Sequence, residues 1–205
     1  MRPFPCLLFL ALTICRQAIG DDRGLRLNIH VYDYSGRQAS VLPDVQVSVA
    51  EVFRQAGIGI HWDDCLFGVK RATVSVCGSG TLDVTHLVLT ILPETMAAKI
   101  ASRTEQLAAS VSAPGGFPTQ TYIFMDRVTN FSIAAKAPTA NMLAMAIAHE
   151  IGHLLLGPES HSALGIMRSK WSMDDAGRFV KGFLTFTARQ AEAMRAEVWR
   201  RMTNS

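Results

Sequence analysis

The chain has 205 residues and carries 20 Lys and Arg against 17 Asp and Glu, a formal net charge of +3. That length suffices for one domain with a sizeable core, and the near balance of charge gives no sign of a nucleic-acid partner, so none is expected. No apolar segment reaches the roughly 20 residues that a membrane helix needs, so no stable membrane span is expected.

Residues 1–20 read as a secretory signal peptide. Arg2 gives the positive start, an apolar run extends from Phe4 to Cys15, and Ala18-Ile19-Gly20 puts small residues where cleavage is read. Export follows, to the medium or a periplasm, with cleavage near Gly20. A lipid anchor on Cys15 is the weaker alternative, because Ile14 before it is bulky. Residues 21–205 then form a single domain, expected as a monomer, with 18 bases and 17 acids left. They keep Cys65 and Cys77, which outside the reducing cytosol read as a disulfide; two buried thiols are the alternative.

Residues 25–34 alternate, with Leu25, Leu27, Ile29 and Val31 on one face and Arg26, Asn28 and His30 on the other, which predicts a half-buried strand. Pro43-Asp44 opens a helix over 43–56, with Val45, Val47, Val49, Val52 and Phe53 near helical spacing and Gly57 as its stop. Strands are predicted over 58–62, 72–76 and 82–92. A short helix over 96–102 follows, then a short edge strand over 107–112 ending in the turn Ala113-Pro114-Gly115-Gly116. Residues 121–128 read as a strand and 138–156 as the strongest helix. Thr187, with Gln190 three residues on, caps a final helix reaching about residue 202. This order predicts an α/β (α+β) fold with one mixed sheet.

The chemistry sits on the helix over 138–156. His149 and His153 are four apart, so they lie one above the other on the same face and can share a metal ion, with Zn²⁺ the usual choice. Glu150 stands beside the first histidine, where a carboxylate can take a proton from a water that zinc has made acidic. The surrounding Ala144, Ala146, Ile147, Ala148 and Ile151 are apolar, and burying two histidines and a glutamate there without partners is costly. Gly157-Pro158 ends the helix and turns the chain back. His161 then stands as the third ligand, completing the open three-ligand arrangement of catalytic zinc. Glu159 in the same loop and Glu192 on the last helix are the alternatives. Gly165-Ile166-Met167 reads as a tight turn.

His149-Glu150-x-x-His153 with a later glycine, a third histidine and a methionine resembles the metzincin clan of zinc metallopeptidases. The resemblance covers residues 148–167. It implies zinc on His149, His153 and His161, Glu150 as general base, and Met167 as the methionine of a turn beneath the histidines. It also implies a mixed twisted sheet with an active-site helix and a C-terminal helix. The clan places the glycine and third histidine seven and ten residues after the first histidine; here Gly157 and His161 stand eight and twelve after. Arg168 occupies the position where some members carry a tyrosine.

The implied activity is hydrolysis of peptide bonds in a peptide or protein laid along the edge strand over 107–112. Two other classes are a zinc-binding domain that does not cleave, against which Glu150 speaks, and a hydrolase of non-peptide amides or esters. His30, His61 and His86 read as structural or surface histidines, Met142 and Met145 as core filler, and Asp174-Asp175 as solvated acids. Trp171 is either core or pocket lining. Asn130-Phe131-Ser132 matches a glycosylation acceptor.

Overall fold

The computed structural model describes residues 24–36, 41–65, 77, 83–101, 106–111 and 116–204. The expected signal peptide, the expected strand over 72–76 and residues 113–115 of the expected turn lie outside them.

The described residues begin with a β-α-β unit. Strand β1 (Arg26–Asp33) leads into helix α1 (Leu42–Gln55), which has a proline in its first turn. Gly57, at φ +79°, takes the left-handed turn after it. Strand β2 (Gly59–Asp64) then returns parallel to β1, with Arg26 opposite Gly59 and His30 opposite Asp63. Strand β3 (His86–Leu92) pairs parallel on the other side of β1, with Asn28 opposite His86. Helix α2 (Glu94–Ile100), strand β4 (Ala108–Val111) and strand β5 (Gln120–Phe124) follow. Strand β5 runs parallel to β3, and β4 runs antiparallel to β5. The order β2-β1-β3-β5-β4 makes a mixed sheet, with β4 at one edge of the described residues.

One face of this sheet is the core face. Leu27, Ile29 and Val31 of β1 and Leu87, Leu89 and Ile91 of β3 are buried there. They share a cluster with Val45, Val49, Val52 and Phe53 of α1 and with Leu143, Ala144, Ile147 and Ile151 of helix α4 (Thr139–Leu156). Each such aliphatic side chain contributes on the order of 1.5–3 kcal/mol by leaving water. Nearly every residue of α4 from Met142 to Leu155 is buried. A helix apolar on all sides is a central helix, and α4 packs on α1, β4 and β5.

The mixed sheet agrees with the expected fold class, but several boundaries differ. The strand over 121–128 stops at Phe124, and helix α3 (Met125–Ala135) begins at once. Asp126 in its first turn accepts the Glu94 backbone N–H at 2.7 Å. Arg127 donates two hydrogen bonds to the Glu94 carboxylate, at 2.9 and 2.8 Å. These long-range bonds fix a helix where the local apolar pattern read as strand. Ser132 of the expected glycosylation acceptor is buried in α3. Strand β3 begins only at His86, because Asp83 accepts the Thr85 N–H at 2.7 Å and closes a turn.

A helix missing from the sequence reading, α5 (Met173–Val180), is started by a capping box between Ser172 and Asp175. Asp175 is therefore not a solvated acid: it is 1% exposed and accepts Arg168 Nη1 at 2.9 Å. Helix α6 (Ala188–Thr203) starts at the Thr187–Gln190 capping box. Its Arg201, fully buried, donates to the carbonyls of Val84, Pro118 and Leu154 and so ties α6 to the end of α4. Cys65 and Cys77 are joined by a disulfide, with Cα atoms 5.6 Å apart. Among the described residues no helix is long and apolar enough to cross a membrane.

Candidate metal centre

One turn of α4 presents His149 and His153 on a common face. Their Nε2 atoms lie 3.0 Å apart, and His161 Nε2 lies 3.2 Å from that of His153. Two nitrogens sharing a tetrahedral zinc at about 2.0–2.1 Å are separated by roughly 3.3 Å. The other ring nitrogens show what these three can hold. His149 Nδ1 is 2.9 Å from the Ile166 carbonyl oxygen. His153 Nδ1 is 3.1 Å from that of Gly157. A carbonyl accepts only, so each Nδ1 carries the proton and each Nε2 presents a lone pair. Two lone pairs facing one another repel unless a cation lies between them. Protonation does not supply that charge: burial pushes His149 down to about 4, and burial lowers His153 as well. The donor set therefore fits a metal ion, with the Nδ1 protons anchored as metal-bound imidazoles need.

The loop from Gly157 to Met167 brings in His161. Beside the helix end, Ser160 Oγ donates to the Gly157 carbonyl at 2.7 Å and sits 3.1 Å from His153 Nδ1. Further on, Ser162 N donates to Met167 O at 2.9 Å and Ile166 N to Thr185 O at 3.0 Å. Gly165 makes the turn possible: its φ is +77°, and a Cβ there would lie 2.6 Å from the Thr185 carbonyl. The Ile166 carbonyl also accepts Trp171 Nε1 at 3.0 Å, and the Trp171 ring meets His149 edge-on with centroids 5.0 Å apart. Trp171 thus packs directly on the histidine cluster. Met167 is fully buried, with its sulfur against Gly152 on the underside of α4.

Glu150 is 8% exposed, and its Oε2 accepts Ser110 Oγ of the edge strand β4 at 2.7 Å. Burial pushes the carboxyl up to about 7, against the opposing pull of that hydrogen bond. Ser110 reaches Glu150 because α4 packs against β4.

Among the described residues His149, His153 and His161 form one group with metal-binding spacing, and neither Glu159 nor Glu192 belongs to it. Glu192 lies exposed on α6, and His161 is the exposed member of the trio. The sequence reading missed Ser110 and Gly152. Ser110 carries no motif. Gly152 lies inside the His-Glu-x-x-His run, and a glycine within a strong helix was itself a signal of close packing.

The sequence matches no protein-family model and no curated protein. Solved structures similar to the chain include the archaemetzincin of Methanopyrus kandleri, at 15% identity and a TM-score of 0.48, covering 87% of this chain and 98% of that one. A zinc-dependent peptidase from Methanocorpusculum labreanum has 14% identity and a TM-score of 0.47, covering 81% of this chain and 99% of that one.

Proposed function

We propose that the chain is a secreted zinc-dependent endopeptidase of the metzincin type, with zinc on His149, His153 and His161. The observation that carries this reading is the convergence of three Nε2 atoms, that of His153 lying 3.0 Å from that of His149 and 3.2 Å from that of His161, with the Nδ1 protons of His149 and His153 held by backbone carbonyls. What a zinc ion supplies in such a setting is Lewis acidity toward a carbonyl, together with a water acidic enough to ionise near neutral pH.

The chain's own residues supply the rest. Glu150 takes a proton from the attacking water and passes it to the leaving amine. Ser110 orients the Glu150 carboxylate from β4. The strand β4, at an edge of the sheet among the described residues, offers main-chain groups to an extended peptide. The positive start, apolar run and small residues over 1–20, read as a signal peptide, support an activity outside the cytosol.

The test incubates the purified protein with a mixed peptide library, before and after chelation. Cleavage that stops on chelation and returns with added zinc supports the reading. Cleavage that persists in zinc-free protein refutes it.

A further inference from the structure

A second cluster lies on the sheet face turned away from α1 and α4. Side chains alternate along a strand, so with Leu27, Ile29 and Val31 in the core, Asn28 and His30 of β1 point to the opposite face. The register sets His61 and Asp63 of β2 and His86 of β3 beside them. The sequence reading took these histidines singly, as structural or surface residues. Together they enclose an unmatched group.

His30 is 7% exposed, and its Nε2 lies 2.7 Å from His86 Nδ1 with the two rings stacked. That bond occupies one ring nitrogen. The other, Nδ1, is buried without a hydrogen-bond partner. Asp63 Oδ2 stands 3.5 Å from it. A ring nitrogen of His30 and the sulfurs of Cys65 and Cys77 all lie within 4.8 Å of one another. A buried imidazole with one nitrogen held by a neighbour and the other bare is arranged like a metal ligand. The two sulfurs beside it are bonded to each other, and so cannot ligate.

We infer that this face carries a second metal site, opened when the Cys65–Cys77 disulfide is reduced, which takes a thiolate-preferring divalent cation such as zinc on Cys65, Cys77 and His30, with Asp63 beside them. Reduction by a dithiol delivers two electrons and two protons. The S–S bond breaks, two thiols form, and the reductant closes its own disulfide. The cation then displaces both thiol protons as it binds. Two thiolates and an imidazole suit zinc chemistry, and the Asp63 carboxylate offers a further oxygen. The site lies across the sheet from the histidines of α4 and is independent of the peptidase reading.

Cobalt distinguishes the two sites, because thiolate-to-cobalt charge transfer absorbs in the near ultraviolet and the α4 histidines contribute no sulfur. The full chain is titrated with Co²⁺ in its oxidised state and after reduction by a dithiol that is then removed. The reduced protein is expected to show the charge-transfer band, saturating at one further equivalent of cobalt, and the oxidised protein none. Cys65→Ser removes the band. His86→Ala, which leaves the three ligands in place, weakens cobalt binding at the new site by about tenfold or more, and His30→Ala weakens it further. A folded, reduced protein without the band overturns the inference, as does a band of unchanged affinity in His30→Ala. If reduction unfolds the chain, cobalt must restore the far-ultraviolet circular dichroism; failure to do so also overturns it.

Discussion

The sulfur of Met167 fills the space that a side chain at Gly152 would occupy. A Cβ built on Gly152 would overlap Met167 Sδ and lie 3.0 Å from Phe186 Cε1. This contact presses the turn after the third histidine against the underside of α4, between the Glu150 and His153 positions. It predicts coupled behaviour. Alanine gains about 1 kcal/mol over glycine in a helix, but overpacking a core costs about 1–3 kcal/mol. Gly152→Ala alone should therefore destabilise by about 1 kcal/mol. In a Met167→Ala background, where Phe186 Cε1 alone still stands close to the added methyl, the same substitution should cost at least about 1 kcal/mol less. Urea denaturation of the four proteins measures this, and an equal cost in both backgrounds would contradict the contact.

Ser110 should tune Glu150. Its hydroxyl donates to Oε2 and favours the charged carboxylate against the burial that pushes the carboxyl up to about 7. Ser110→Ala removes the donor, so the Glu150 carboxyl rises further. A general base works deprotonated, so the acid limb of the kcat/KM profile should move to higher pH by about one pH unit. Zinc content should not change. An unmoved acid limb with lowered activity would assign Ser110 a structural part only.

Asp175 gives a stability test far from the histidines in chemistry. Burial raises its carboxyl, but hydrogen bonds from the Ser172 backbone and hydroxyl and the Arg168 guanidinium outweigh it, leaving the group below the ordinary carboxylate range. A lowered pKa means the stabilisation is fully present above the unfolded value near 3.9 and fades as pH falls through the folded value. Asp175→Asn should cost about 1–3 kcal/mol at neutral pH. The gap from wild type should narrow below about pH 4. A gap constant from pH 7 to pH 2 would show that shape, and not charge, is at stake.

What the sequence made legible follows from where the physics is local. The α4 and α6 helices were readable because apolar spacing and the Thr187–Gln190 box act within a few residues. Helix α3 was not, because its start depends on Glu94, more than thirty residues away, which bonds Asp126 and Arg127. Helix α5 was readable in principle: Ser172 and Asp175 have the capping spacing, but its short polar stretch resembles a loop. At the candidate centre the histidines announced themselves through spacing. Ser110 and the Ile166 carbonyl did not, because strand packing and loop closure bring them in.

The third ligand is open to direct substitution. His161 is exposed, so its loss should leave the fold intact while weakening zinc binding. His161→Ala should lose zinc during dialysis, and Glu192→Ala should keep it. Metal bound to the native state alone stabilises by about 2.7 kcal/mol at a hundredfold excess over Kd, so zinc should raise the Tm of wild type and of Glu192→Ala. Zinc loss confined to Glu192→Ala would remove the metzincin reading.

The most direct measurement compares wild type with Glu150→Ala on the same peptide library, with zinc content determined on the same samples. The proposed mechanism predicts equal zinc in both proteins and cleavage in wild type alone, with the rate of the variant lower by about a hundredfold or more. Equal cleavage by the two proteins, or a wild type that binds no zinc, would contradict it.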